Sequence, residues 1–157
     1  MKIQLWSIGK THENFVKEGI DLFTNRINNY FSLTWNIIPG PKNAGQMEPP
    51  VLKLKEGEIV VSMLMKDDFL VLLDERGKSF TSEAFAKFLE QRTVDSVKNI
   101  VFLIGGAYGV SEEVKQRANF IWKLSDLVFP HQLVRLIATE QIYRACSIIR
   151  NEKYHHA

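Results

Sequence analysis

The run IVFLIGGAYGV, residues 100–110, passes in one step from five continuous apolar residues to a glycine-rich turn. A short apolar run without alternation, closed by turn residues, fits a strand covered on both faces inside a parallel sheet. FLVLL, residues 69–73, has the same form and ends in the turn DERGK. Between the two, Thr81 or Ser82 is placed to cap a helix, with Glu83 in its first turn and Phe85, Phe88 and Leu89 on its buried stripe. Strand, turn and helix therefore recur as a unit.

Working outward, Lys2 to Ile8 alternates apolar and polar residues as a strand does. Phe15 to Ile27 repeats at helical spacing, and Leu33 to Ile38 is again extended. The segment PGPKNAGQMEPP, residues 39–50, holds four of the five prolines and reads as a long surface loop. A helix is expected over Glu56 to Met65, another after Ser111 with Glu112 and Glu113, and a short strand over Ile121 to Leu124. Pro130 opens the last helix, His131 to Ile149. Alternation of this kind defines an α/β class: a largely parallel sheet with helices on both faces, in a single domain over residues 1–157.

Composition narrows the function. Hydrophobic residues make up 45% and charged residues 24%, the balance of a globular protein, and no apolar run approaches a bilayer span. MKIQLWSIGK lacks the features of a signal peptide, so a cytoplasmic location is expected, with no membrane partner. The lone Cys146 excludes an internal disulfide and a cysteine-built metal cluster, and no metal is expected. A net charge of +2 is too small to hold RNA by field alone, so an RNA partner would be met by a local patch or recognised by shape.

In open parallel sheets, ligands bind beyond the carboxyl ends of the strands. Three strand ends supply loops there: Leu73 with its DERGK turn, Gly105 with Gly106 and Gly109, and Leu124 to Phe129. The glycine spacing matches neither the dinucleotide fingerprint nor a Walker loop, so taken alone it reads equally as a tight turn or a ligand contact. Asp126 lies about 20 residues beyond Gly105, as the ribose-binding acid of nucleotide folds does; Ser125 and Asp126 equally suit plain loop capping. The last helix is apolar on two sides, with Val134, Ile137, Ala138, Ile142, Ala145 and Ile149 on one and Leu133, Leu136 and Tyr143 on the other. That pattern points to burial between layers or to a subunit interface. Glu140 and Arg144 form an i, i+4 pair, and His131 and Arg135 face roughly the other way. Beyond the helix, Lys153, Tyr154, His155 and His156 offer phosphate-binding, stacking and titratable groups suited to RNA, where a solvated tail would be the plain alternative.

The order LDERGK, LIGGAYG, LSDLVFPHQLVR, EQIYRA and NEKYHH resembles the RlmH family from end to end, and KIQLWSIGK fits as well. This family belongs to the SPOUT class of methyltransferases. The resemblance implies a C-terminal trefoil knot, a topology otherwise almost absent from proteins, and a homodimer. It implies methylation of N3 of a pseudouridine in large-subunit (23S) ribosomal RNA on assembled ribosomes, with S-adenosylmethionine as donor. Carried over, the cofactor contacts fall on Leu73, Gly105 and Leu124, Ser125, Asp126, Leu127, Val128 and Phe129. The residues reaching the substrate fall on Tyr154 and His155, with Arg144 behind them. The rival readings are a non-enzymatic ribosome-binding factor and another nucleotide-using α/β enzyme.

Overall fold

A computed structural model describes residues 1–156; Ala157, the end of the expected domain, lies outside the described residues. Five strands form one sheet in the order β2-β1-β4-β3-β5, every neighbouring pair parallel. They are β1 (Lys2–Ile8), β2 (Ser32–Ile38), β3 (Phe69–Lys78), β4 (Asn99–Ile104) and β5 (Phe120–Trp122). The helices are α1 (Asn14–Ile27), α2 (Pro49–Met63), α3 (Ser82–Val94), α4 (Glu112–Arg117) and α5 (His131–Ile149).

The unbroken apolar runs lie at the centre of the sheet because both of their faces are covered. Val71, Ile100 and Phe102 turn toward a layer containing α3 and α5, while Leu70, Leu72, Val101 and Leu103 turn toward Val60 of α2 and Val114 of α4. α5 lies on one face between α1 and α3; α2 and α4 share the other. Thr81 caps α3, its Oγ1 accepting from the Ala84 amide at 3.1 Å, and Ser111 caps α4 in the same way.

Three expected boundaries move. α2 begins at Pro49, well before Glu56, because Pro49 and Pro50 occupy its first turn, where a missing N–H costs nothing. The proline-rich loop accordingly ends at Glu48 and contains a single 3-10 turn, Ala44–Gln46. β3 runs past Leu73 through an irregularity to Lys78, which pairs with Trp122, and β5 closes at Trp122, two residues before Leu124.

The second apolar side of α5 is not left bare. Leu136 meets Gly19 of α1 so closely that a Cβ there would lie 2.7 Å from its Cδ1. Tyr143 packs against Phe23 and Tyr30 at ring separations of 5.7 and 6.4 Å. A helix apolar on two sides is thus mostly accounted for by the sheet and α1 of the same chain.

α5 stops by a Schellman turn. The Glu152 amide donates to the Ser147 carbonyl at 2.9 Å and the Asn151 amide to that of Ile148 at 3.0 Å, with Asn151 at φ 55°. This left-handed residue sends the chain back along the helix it has just left. Tyr30 fixes the reversal by donating its hydroxyl to Glu152, a bond that pushes the Tyr30 phenol up to about 12.

Candidate active site

The carboxyl ends of β3, β4 and β5 bring the three anticipated loops together. One cavity of about 430 Å³ is lined by Leu73, Trp122 and the whole of Leu124 to Phe129. A second, of about 550 Å³, is lined by Leu73, Gly105 to Gly109 and His131, and shares Phe129 and Val134 with the first. Leu73 stands in both, so the two are adjoining halves of one cleft at the strand ends.

The glycines act mainly through size. Only Gly109 among them has a left-handed backbone, at φ 84°. At Gly105 a Cβ would lie 2.7 Å from Val110 Cγ1, and at Gly106 it would lie 2.5 Å from Glu56 Oε2. Backbone is therefore exposed to the cleft where any side chain would intrude.

The third loop is held by its own small residues. Ser125 Oγ accepts from the Leu127 amide at 3.0 Å, a capping role. The Asp126 carboxylate forms an ion pair with Lys123 and is largely solvated, so it is not the buried ribose acceptor that its spacing mimics. Leu127 and Val128 are 72% and 86% exposed, an apolar tip with no cover from this chain.

The tail lies against the fold. Glu140 Oε1 accepts from Arg144 Nη2 at 2.6 Å and Nε at 3.0 Å, and from the Tyr154 hydroxyl at 3.0 Å. The Arg144 guanidinium also sits over the Tyr154 ring, 4.8 Å from its centroid. His155 Nε2 is 2.7 Å from Glu83 Oε1 and its Nδ1 is 3.3 Å from Arg144 Nη1. Because a carboxylate only accepts and a guanidinium only donates, the proton is assigned to Nε2, leaving Nδ1 as the acceptor. Burial, then the bond to Glu140, raises the Tyr154 pKa, so this group is a donor at neutral pH. Glu83 is held below the usual carboxylate value, first by its own backbone N–H and then by His155.

Tyr154, His155 and Arg144 are thus brought together with each other, and the cofactor loops with each other. None of the three tail residues lines the cleft. Between the two groups stand Ser82 and Gln141.

Three groups escaped the sequence reading. His131 contacts the Gly105 carbonyl through Nε2, tying α5 to the glycine loop. Arg135, only 1% exposed, donates from Nη1 to the Lys10 carbonyl at 2.9 Å and lies 3.3 Å from His12 Nδ1. Its one available signal was a single cation inside the apolar run Leu133 to Ile137. Glu56 is 8% exposed behind Gly106, and burial alone pushes its carboxyl up. No periodicity marks it.

His131 and His12 are both held below the ordinary histidine value of 6.5, in each case first by burial. Between 6.5 and the lowered folded value the unfolded chain binds more protons, so stability is complete above that window and declines as pH falls through it. Thermal midpoints should fall between pH 7 and pH 5, and His131→Gln, which does not titrate, should flatten the decline. A variant whose midpoint follows pH as the wild type does would remove His131 from this account.

The strand-end cleft, the doubled carboxyl-edge loops and the tail fit one class of protein. The chain belongs to the SPOUT methyltransferases: a family model described as "Predicted SPOUT methyltransferase" matches residues 1–155. It is 46% identical over 156 residues to ribosomal RNA large subunit methyltransferase H of Cytophaga hutchinsonii, covering 99% of this chain and 100% of that one. The protein of the same name from Christiangramia forsetii is 43% identical over 156 residues, and that from Clostridium botulinum 39% over 160 residues, each with 99% of both chains covered.

Proposed function

We infer that this chain, acting as one domain over residues 1–157, methylates large-subunit ribosomal RNA at N3 of a pseudouridine on assembled ribosomes. S-adenosylmethionine is the donor. The observation that carries this reading is the convergence of Leu73, Gly105 and Leu124 to Phe129 on one cleft, with a polar tail packed beside it. The names of its relatives agree with it.

The residues present fit the donor. An adenosyl group needs an apolar slot and backbone hydrogen bonds; Leu73, Trp122, Leu124 and Phe129 supply the slot, and the loop backbones supply the bonds. At Gly105 a Cβ would fill the cradle. When bound, S-adenosylmethionine supplies an electrophilic methyl group on a sulfonium centre.

The chain's own work is to align the acceptor nitrogen, take its proton and offset the charge that develops on the ring. Tyr154, a neutral donor, positions the base. His155 Nδ1 accepts the proton, and its Nε2–H already faces Glu83, which gives the proton an onward path. Arg144, released from Nδ1, then faces a ring carbonyl with its guanidinium. No covalent nucleophile is required: Cys146 is buried and its thiol is pushed up to about 12, chiefly by burial.

The C-terminal trefoil knot and the homodimer belong to the same proposal, as does a cytoplasmic setting. The bare Leu127–Val128 tip supports the dimer, since a second subunit would cover it. Among the described residues no helix is long and apolar enough to cross a membrane, and no His, Cys, Asp or Glu cluster is arranged to hold a metal.

Transfer of tritiated methyl from S-adenosylmethionine to ribosomes tests the reading, with calorimetry against S-adenosylmethionine and NAD beside it. Label in large-subunit RNA together with selective S-adenosylmethionine binding is expected. Binding of NAD alone, or ribosome binding without label, would replace it. Sedimentation at micromolar concentration should show a dimer; a monomer there would refute the dimeric assembly.

A further inference from the structure

Gln141 stands where neither the cofactor cleft nor the tail accounts for it. A third cavity, of about 270 Å³, opens on the other side of the cofactor loop, with which it shares Leu124, Ser125 and Phe129. Its walls include Phe80, Phe85 and Trp122, and the last two rings stack at 4.3 Å. Its polar end is built from Ser82 and Gln141, with Ser82 Oγ donating to Gln141 Oε1 at 3.0 Å. Gln141 Nε2 in turn donates to Glu140 Oε2 at 2.7 Å, and Glu140 Oε1 holds Arg144 and Tyr154. One hydrogen-bonded chain therefore runs from the cavity wall to the tail, and the second Nε2 hydrogen of Gln141 has no partner among the described residues.

We propose that this cavity is the acceptor-base subsite, taking one unstacked pyrimidine-dione ring from the RNA. The proposal rests on the methyltransferase reading above and names where its substrate ring sits. An extruded base is bound by stacking on aromatic side chains and by hydrogen bonds to its edge, and the aromatic walls and amide end supply both. The volume admits a single ring with room to turn. Gln141 donates its free amide hydrogen to a ring carbonyl and Ser82 supports it, which leaves the ring N–H free to face the methyl donor. The position also suits transfer: the cofactor loop forms one side of the cavity, and the Glu140–Tyr154–His155 cluster lies behind the opposite end. Gln141 is thus a specificity residue that links base binding to the tail.

The test compares Gln141→Leu, Gln141→Asn and the cavity-filling Ile137→Trp, reading methyl transfer to unmodified ribosomes and S-adenosylmethionine affinity by calorimetry. Gln141→Leu should lower kcat/KM for ribosomes on the order of 10²-fold, since it leaves a ring carbonyl unpaired, and Gln141→Asn should recover part of it. Ile137→Trp should lower it at least as far, and donor affinity should be unchanged in all three. Gln141 is half-buried on a helix, so its variants test the proposal even where Ile137→Trp fails to fold. Wild-type transfer rates in the Gln141 variants, or a parallel loss of donor affinity, would overturn the subsite while leaving the enzyme's function standing. A wild-type protein that moves no methyl to ribosomes would instead overturn the functional reading, and this occupant with it.

Discussion

Gly105→Val should abolish S-adenosylmethionine binding in a protein that still folds. The new Cβ would lie 2.7 Å from Val110 Cγ1, with the Gly109 backbone 3.4 Å away. Val110 is a side chain that can shift, so overpacking should cost about 1–3 kcal/mol, within the stability of an ordinary domain. The cleft is less forgiving. The two added methyl groups occupy space that the donor would need, and the strand-end backbone can no longer approach it. Affinity should fall by ~100-fold or more, which is about 2.7 kcal/mol. Calorimetry on a variant with normal circular dichroism decides it, and unchanged affinity would remove Gly105 and its loop from the donor site.

Removal of Tyr154 to Ala157 should abolish methyl transfer and leave donor affinity largely intact. Donor contacts come from loops 73, 105 and 124–129, none of which touches the tail in this structure. His155→Ala alone should slow transfer by ~10²-fold or more if Nδ1 takes the proton. His155→Gln tells the two roles apart. Its amide can still donate to Glu83 and accept from Arg144, so a purely positional histidine would be partly rescued, whereas a base would be lost in both variants. Full activity of the truncated protein on ribosomes would show that Tyr154 and His155 only cap α5 and the start of α3. Because Asn151 sets the reversal from a left-handed backbone, Asn151→Val should mimic part of the truncation at a strain of roughly 1–2 kcal/mol, whereas Asn151→Gly should not.

Much of the cofactor cleft was legible because its signals are local. FLVLL and IVFLI can satisfy both faces only in the middle of a parallel sheet, and loops following such strands converge at one edge by topology alone. Thr81 and Ser111 announced two helix starts by capping chemistry that needs only three residues. Pro49 and Pro50 misled for the same reason: proline is read as a breaker, yet at the first two helical positions its missing N–H has no partner to lose. Asp126 misled by spacing, which says nothing of the Lys123 ammonium beside it.

Sequence by itself determined the class, the parallel sheet, the span of α5 from His131 to Ile149 and the three loops, since each follows from periodicity, capping or turn chemistry within a few residues. Tertiary structure alone decided the pairings across long separations. His155 meets Glu83 from 72 residues away, Ser82 meets Gln141 from 59, and Arg135 reaches the Lys10 carbonyl from 125. A buried arginine, a glutamate pressed against a glycine and a tail reversed by one left-handed asparagine depend on which elements the fold sets side by side. That is a property of packed layers, and no local pattern encodes it.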